Sequence, residues 1–270
     1  MKIFNKDKNI VIGAIHFPPL YGYPDFPGVS IALENALKDL RVFEAGGVDA
    51  VILENNYDIP HKTLVDPEVS EMLEYLSKKI KEKTKLPVGI SVLWNDYKTA
   101  LMVAKNAGLS FVRIPVFVDR VETSYGIMEP KADEVVEFRQ SIGVENVALL
   151  TDIHVKHSKI LSKHSITESA LLAIGKGADA LIVTGRWTGE APDLKQLQSV
   201  RDKIGDFPIL CGSGVSAENI EKLFRFANGG IVSTSVKTGE NDCSQVNVKG
   251  YNQRIDVDKV KKLINATAID

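Results

Sequence analysis

The chain has 270 residues, 44% of them hydrophobic, and a formal net charge of −2. That balance argues against a nucleic-acid surface or an anionic-membrane surface, and no run approaches the ~20 apolar residues of a spanning helix. Two cysteines, Cys211 and Cys243, are too few for a disulfide framework. With an N-terminus (MKIFNKDKNI) that lacks an apolar leader, they read as a cytoplasmic protein.

Taken in chain order, short Val- and Ile-rich runs alternate with amphipathic stretches. Strands are predicted at 10–17 (IVIGAIHF), 49–55 (DAVILEN), 87–94 (PVGISVLW), 111–116 (FVRIPV), 147–155 (VALLTDIHV), 180–185 (ALIVTG), 208–214 (PILCGSG) and 229–236 (GGIVSTSV). Helices are predicted near 30–45, 68–84, 96–107, 131–142, 166–176, 192–204, 216–226 and 256–266. Eight such repeats in a chain close to the ~250 residues of this architecture predict a single-domain (β/α)₈ barrel. Glycines in AGGVDA, NAGLSF, KGADA and ANGGI fall where helices should end. Two connections, 117–130 and 238–255, are long for such loops and are expected to be functional or mobile, the second being mobile or acting as a lid. Both fall on the side where barrel strands end, the catalytic side of the fold.

The fifth predicted strand holds the strongest chemical pattern. With side chains alternating across a strand, Asp152, His154 and Lys156 share one face, which is expected to look into the barrel near its mouth. An acid, an imidazole and an amine in one column transfer protons, hold a metal or grip an anion. His157 is expected to face away. Other strands end in polar groups: His16, Glu54 with Asn55, Asn95 with Asp96, and Thr184 with Gly185. Arg113 lies inside the fourth strand, where a charge is costly unless paired. Asp96 and Asp193 suit helix N-caps.

The last two units carry a phosphate pattern. In CGSGVSAEN, Gly212, Ser213 and Gly214 form a turn ahead of a helix that Ser216 would cap. Turn amides and a helix start together favour an anion. Ser233, Thr234, Ser235 and Lys237 would complete the pocket. The sixth loop brings Thr188, Gly189 and Trp187 to the same rim.

These runs together resemble the BtpA/SgcQ family. The likeness is carried by GAIHFPPLYGYP (13–24), AGGVDAVILENNYDIP (45–60), PVGISVLWND (87–96), FVRIPV (111–116), DIHVKH (152–157), ADALIVTGRWTG (178–189), PILCGSGVSAENI (208–220) and IVSTSVK (231–237). The resemblance implies a barrel of the ribulose-phosphate-binding type. It also implies one of two roles: sugar or nucleoside metabolism, or the photosystem I biogenesis factor that named the family.

Two functions are therefore carried forward. The first is an enzyme for a phosphorylated sugar or nucleotide-like metabolite, performing isomerisation, aldol cleavage or glycosidic cleavage. Asp152, His154, Lys156 and Glu54 would be catalytic. Asn55, Asn95, Arg113, Thr184, Gly185 and the 212–214 and 233–237 groups would bind substrate and phosphate. No cofactor is indicated by the pattern; the alternative is a divalent metal on Asp152, His154, Glu54 and His16. The second function is a non-catalytic assembly factor that retains the anion site. The partner expected is a small phosphorylated ligand, with a homo-oligomer left open.

Overall fold

A computed structural model describes residue 4 and residues 6–239 and 250–267. Thus residues 240–249, which include Cys243 and most of the second long connection, lie outside the described residues, and with them the lid expectation.

The elements follow one another as β1 (Ile10–His16), α1 (Val29–Gly46), β2 (Ala50–Glu54), α2 (Pro67–Lys81), β3 (Val88–Ser91), α3 (Tyr97–Ala107) and β4 (Phe111–Ile114). Next come β5 (Val121–Thr123), β6 (Gly126–Met128), α4 (Ala132–Ser141), β7 (Ala148–Ile153), β8 (Ser158–Ile160), α5 (Ile166–Gly175) and β9 (Ala180–Val183). The chain continues through α6 (Leu194–Ile204), β10 (Ile209–Cys211), α7 (Ile220–Phe224), β11 (Gly229–Val232), a 3₁₀ turn at Thr234–Val236, and α8 (Val257–Asn265). Eight strands, β1, β2, β3, β4, β7, β9, β10 and β11, pair in parallel and close, β11 returning to β1 with Ile10 opposite Gly229. This is the (β/α)₈ barrel the alternation predicts.

Alternation along each strand sorts side chains into two cores. Val11, Ile15, Val51, Leu53, Val112 and Leu149 face the helices and join the large outer core. Ile10, Ile12, Ala14, Ile52, Phe111, Leu150, Ile182, Leu210 and Ile231 fill the barrel. Gly89 on β3 is required by this filling, since a Cβ there would lie 2.2 Å from the Phe111 ring. Phe4 packs edge-on to that ring at 5.6 Å and joins the interior cluster. Continuing each inner column toward the mouth replaces apolar by polar residues: Ala14 then His16, Ile52 then Glu54, Phe111 then Arg113, Leu150 then Asp152. The inner core thus ends in a charged layer.

Gly47 and Gly108 end α1 and α3 in left-handed conformation, with φ of 89° and 67°, as their placement predicts. ANGGI behaves differently. Gly229 lies within β11, where a Cβ would fall 2.3 Å from the Ile10 carbonyl oxygen, so this glycine serves strand packing. Asp96 and Asp193 cap α3 and α6, accepting from Thr99 N and Gln196 N.

One feature is absent from the predicted strands. β5 and β6 form a hairpin that β8 extends into a separate antiparallel sheet, in the order β6-β5-β8. Residues 117–130 are therefore largely ordered structure. This sheet has its own small core of Val121, Met128, Trp94, Val116 and Val155, with Tyr125 and Ile160 packed on it.

Candidate functional site

A cavity of about 560 Å³ opens where the barrel strands end. Its floor is His16, Glu54, Arg113 and Lys156; its walls come from the loops after β9, β10 and β11.

Arg113 organises the floor. Its Nε and Nη2 each donate at 2.8 Å to the two carboxylate oxygens of Asp152, and its Nη1 donates to Glu54 Oε1 at 3.3 Å. All three residues are buried. Desolvation opposes the guanidinium charge, but Asp152 and then Glu54 outweigh it and raise the Arg113 pKa. Burial would raise the Glu54 carboxyl too; the contact to His16 and the charge of Arg113 prevail and hold it at about 2. His16 Nε2 stands 3.4 Å from Glu54 Oε2. Burial, reinforced by the Lys237 charge, pushes the imidazole down to about 4, so it is neutral at pH 7. Its buried Nδ1 has no hydrogen-bond partner among the described residues.

Lys156 completes the floor differently. Its backbone N–H donates to Thr184 Oγ1 at 3.0 Å, which aims the loop leaving β7. Desolvation, then the neighbouring Arg113 charge, lowers its amine to about 8 against the opposing pull of Glu54 and Asp152. A half-buried amine titrating near neutrality is suited to proton transfer or nucleophilic attack.

The column expected on one face of the fifth barrel strand does not persist. β7 ends at Ile153, and His154 adopts φ of 49°, as does His157 at 58°. Each left-handed residue resets the alternation that a strand imposes. His154 lines no part of the cavity. Its N–H donates to Asp119 Oδ2, and its Nε2 is buried without a partner among the described residues. His157, expected to face away, instead reaches Thr188, with Nε2 and Oγ1 2.7 Å apart. Asp152, with both oxygens held by Arg113, positions that cation and does not line the cavity.

Several other predicted contacts are taken up by the scaffold. Asn55 donates to Asp58 Oδ2 and accepts from Leu93 N at 2.7 Å. Asn95 bonds Val116 in both directions at 2.9 Å. Both asparagines tie loops together and do not face the cavity. Thr184 and Gly185 also stand behind the wall, the Gly185 N–H donating to Ser213 Oγ. Lys237 Nζ lies 3.3 Å from the Tyr57 hydroxyl and over its ring, away from the lining. Lys259 of α8 lines the cavity instead, with its Nζ donating to Lys237 O. Nothing in the local pattern of α8 marks it; it sits in the first turn of an ordinary amphipathic helix.

The metal alternative does not find its ligands. Among the described residues no three of His, Cys, Asp or Glu gather closely enough to hold an ion. Asp152 is committed to Arg113, and His154 has turned out of the group.

Gly212, Ser213, Gly214, Ser233, Thr234 and Ser235 do line the cavity. Their chemistry is mostly main-chain. Ser213 Oγ donates to Glu190 O at 2.7 Å, and Ser235 Oγ to Val215 O at 2.7 Å, so both hydroxyls brace loops. The backbone N–H groups of Gly214, Val215, Thr234 and Ser235 donate to nothing among the described residues, and the Ser233 hydroxyl is buried without a partner there. Gly214 has φ of 63° and a Cβ would strike Ala191 N at 2.1 Å. Only glycine allows this turn. The predicted helix start does not contribute: the segment after Ser216 is a turn, and α7 is five residues long with Asn219 at its N-cap. Ser216 accepts from Glu218 N and caps no helix.

A parallel barrel with an open polar mouth, and amides after its last two strands that are unpaired among the described residues, is the architecture of many small-molecule enzymes. Phosphoribosylanthranilate isomerase of Pyrococcus furiosus superposes with a TM-score of 0.58 at 15% identity, over 96% of this chain and 98% of that one, which is a likeness of fold. The chain belongs to the BtpA family, whose profile it matches over residues 7–268. It is 34% identical over 263 residues to the photosystem I biogenesis protein BtpA of Synechocystis, covering 96% of this chain and 88% of that one. It is 35% identical over 242 residues to an uncharacterised protein of Pyrococcus horikoshii, covering 88% and 92%.

Proposed function

We propose that this protein is an enzyme acting on a phosphorylated sugar or nucleotide-like metabolite. The observation that carries the reading is the set of N–H groups at Gly214, Val215, Thr234 and Ser235, unpartnered among the described residues, on residues that line the same cavity as a charged floor. Free amides in a glycine turn favour an anion, and the loops after the last two strands are the common phosphate position in such barrels. Lys259 adds a cation at the rim. A phosphate held there sets the rest of the ligand over His16, Glu54, Arg113 and Lys156.

Lys156 is the reacting group in this reading. With its amine at about 8, a fraction is neutral at physiological pH and available to a carbonyl carbon or an acidic C–H. Arg113 is a fixed cation for a developing oxyanion, and Asp152 keeps it in place. Glu54, held ionised, pairs with His16, whose free Nδ1 accepts a hydrogen bond from a ligand hydroxyl. Isomerisation, aldol cleavage and glycosidic cleavage all use such a set.

The name of the Synechocystis relative favours a second reading, a non-catalytic biogenesis factor. The P. horikoshii protein is as similar and is uncharacterised, so the name of the Synechocystis relative does not by itself choose between the two. A screen of phosphorylated sugars and nucleotides, with and without divalent metal, separates the two. Turnover that Lys156→Met abolishes supports the enzyme. Phosphate binding with no turnover across the screen supports the factor.

A further inference from the structure

Beside the phosphate cavity lies a second one of about 300 Å³. The two share Glu54, Arg113, Lys156 and Thr188 in their linings, so they are lobes of one site divided by the charged floor. The lobes differ in chemistry. The first is walled by glycine, serine and main-chain amides. The second is walled by Trp94, Tyr125, Trp187, His61 and His157. The chain has only two tryptophans, and both stand here.

The aromatic wall is built in pairs. His61 and Tyr125 meet at 5.3 Å between ring centroids, and His157 and Trp187 at 5.4 Å. Tyr125 arrives on the β5–β6 hairpin, and Trp94 anchors the small core that holds that sheet against the barrel. The extra sheet thus forms one side of this lobe. Burial pushes His61 and His157 each down to about 4, so both rings are uncharged at pH 7. His61 Nδ1 is buried with no partner among the described residues, so a ring that lines this lobe carries an unsatisfied polar atom.

We infer that the second lobe receives a planar aromatic or heteroaromatic ring carried on the same sugar phosphate, so the ligand is of nucleotide type and not a bare sugar phosphate. This rests on the phosphate reading above and narrows it. Aromatic side chains bind a flat ring through its π-face, with little dependence on which ring it is. The sugar then crosses the floor, where Lys156 and Glu54 reach the atoms that join ring, sugar and phosphate. A bare sugar phosphate fills the first lobe and leaves the aromatic wall without a partner.

Calorimetric titration with inorganic phosphate, ribose 5-phosphate, uridine, adenosine, UMP and AMP tests this. At least one of the two nucleotides is expected to bind about tenfold or more tighter than ribose 5-phosphate, the range seen for stacking of a single base. The same nucleotide should quench tryptophan emission, and ribose 5-phosphate should not. Trp187→Ala, at a surface position 58% exposed, combined with Tyr125→Ala, should bring nucleotide affinity down toward that of ribose 5-phosphate, with melting temperature confirming the fold. Equal affinity of ribose 5-phosphate and both nucleotides overturns the inference and leaves the phosphate reading standing. Nucleosides that bind while phosphate and ribose 5-phosphate do not would overturn the phosphate reading and leave the ring lobe. A nucleotide preference that survives in the folded double variant overturns the ring lobe.

Discussion

Arg113 and Lys156 are neighbouring cations with opposite energetics. All three nitrogen positions of Arg113 are matched by carboxylates, so Arg113→Met would leave Asp152 buried and unpaired. Removing one partner of a buried pair costs about 3–5 kcal/mol, and urea denaturation of the variant should show a loss of that size. Lys156 Nζ has no ion-pair partner within the described residues, and its charge is opposed by desolvation. Lys156→Met is therefore expected to match or exceed the parent in melting temperature while losing turnover. The pH profile gives the sign independently. If the neutral amine reacts, turnover rises as pH passes through about 8, where the amine loses its proton. A profile that falls through that pH would assign the protonated form instead.

Among the elements, the end of β7 and the turn after β10 decide the site. Because His154 and His157 both take left-handed backbone, the residue that reaches the cavity side is His157, in contact with Thr188. His157→Asn is expected to lower turnover at unchanged melting temperature. By contrast, His154→Asn should act on stability, through the loop that Asp119 holds, and leave the specific activity of the folded protein alone. At the turn, Gly214→Ala combines a positive φ with a Cβ that collides with Ala191 N. Strain of this kind costs of order 1–3 kcal/mol. The variant should lose that stability and bind inorganic phosphate more weakly in calorimetry, because the amides of 214 and 215 move together.

Across the molecule, buried imidazoles make the fold sensitive to acid. His16, His61 and His157 are each lowered to about 4 from 6.5, with burial the main cause. Between those values the unfolded chain binds protons that the folded chain does not. The stability that these three neutral rings contribute is then complete above about pH 6.5 and is lost as pH falls toward 4. For His61, 6% exposed, the contribution is of order 1–3 kcal/mol. His61→Phe should flatten the pH dependence of the denaturation midpoint in that window. An unchanged slope would mean that His61 is not a source of the acid sensitivity.

The amino-acid sequence by itself determined the barrel. Eight apolar runs at regular pitch, each followed by a helical stripe, have one efficient way to bury both faces, and every barrel strand falls within its predicted run. It also determined which rim is polar, because inner columns such as Ile52 and Glu54 follow from period-two alternation. Gly212 and Gly214 were legible as a tight turn at the mouth because glycine spacing after a strand has a local cause, and both line the cavity. The tertiary structure decided the rest. Whether His154 or His157 points inward depended on two φ angles beyond the strand's end. Asn55 and Asn95 read as ligand contacts until their loop partners, far off in sequence, took up their hydrogen bonds. Lys259, which no local pattern marked, lines the cavity where Lys237 was expected. The accessory sheet joins short segments from two separate loops, Val121–Thr123 with Gly126–Met128 and with Ser158–Ile160. Strands of three residues carry almost no periodicity, so their pairing exists only once the barrel has brought those loops together.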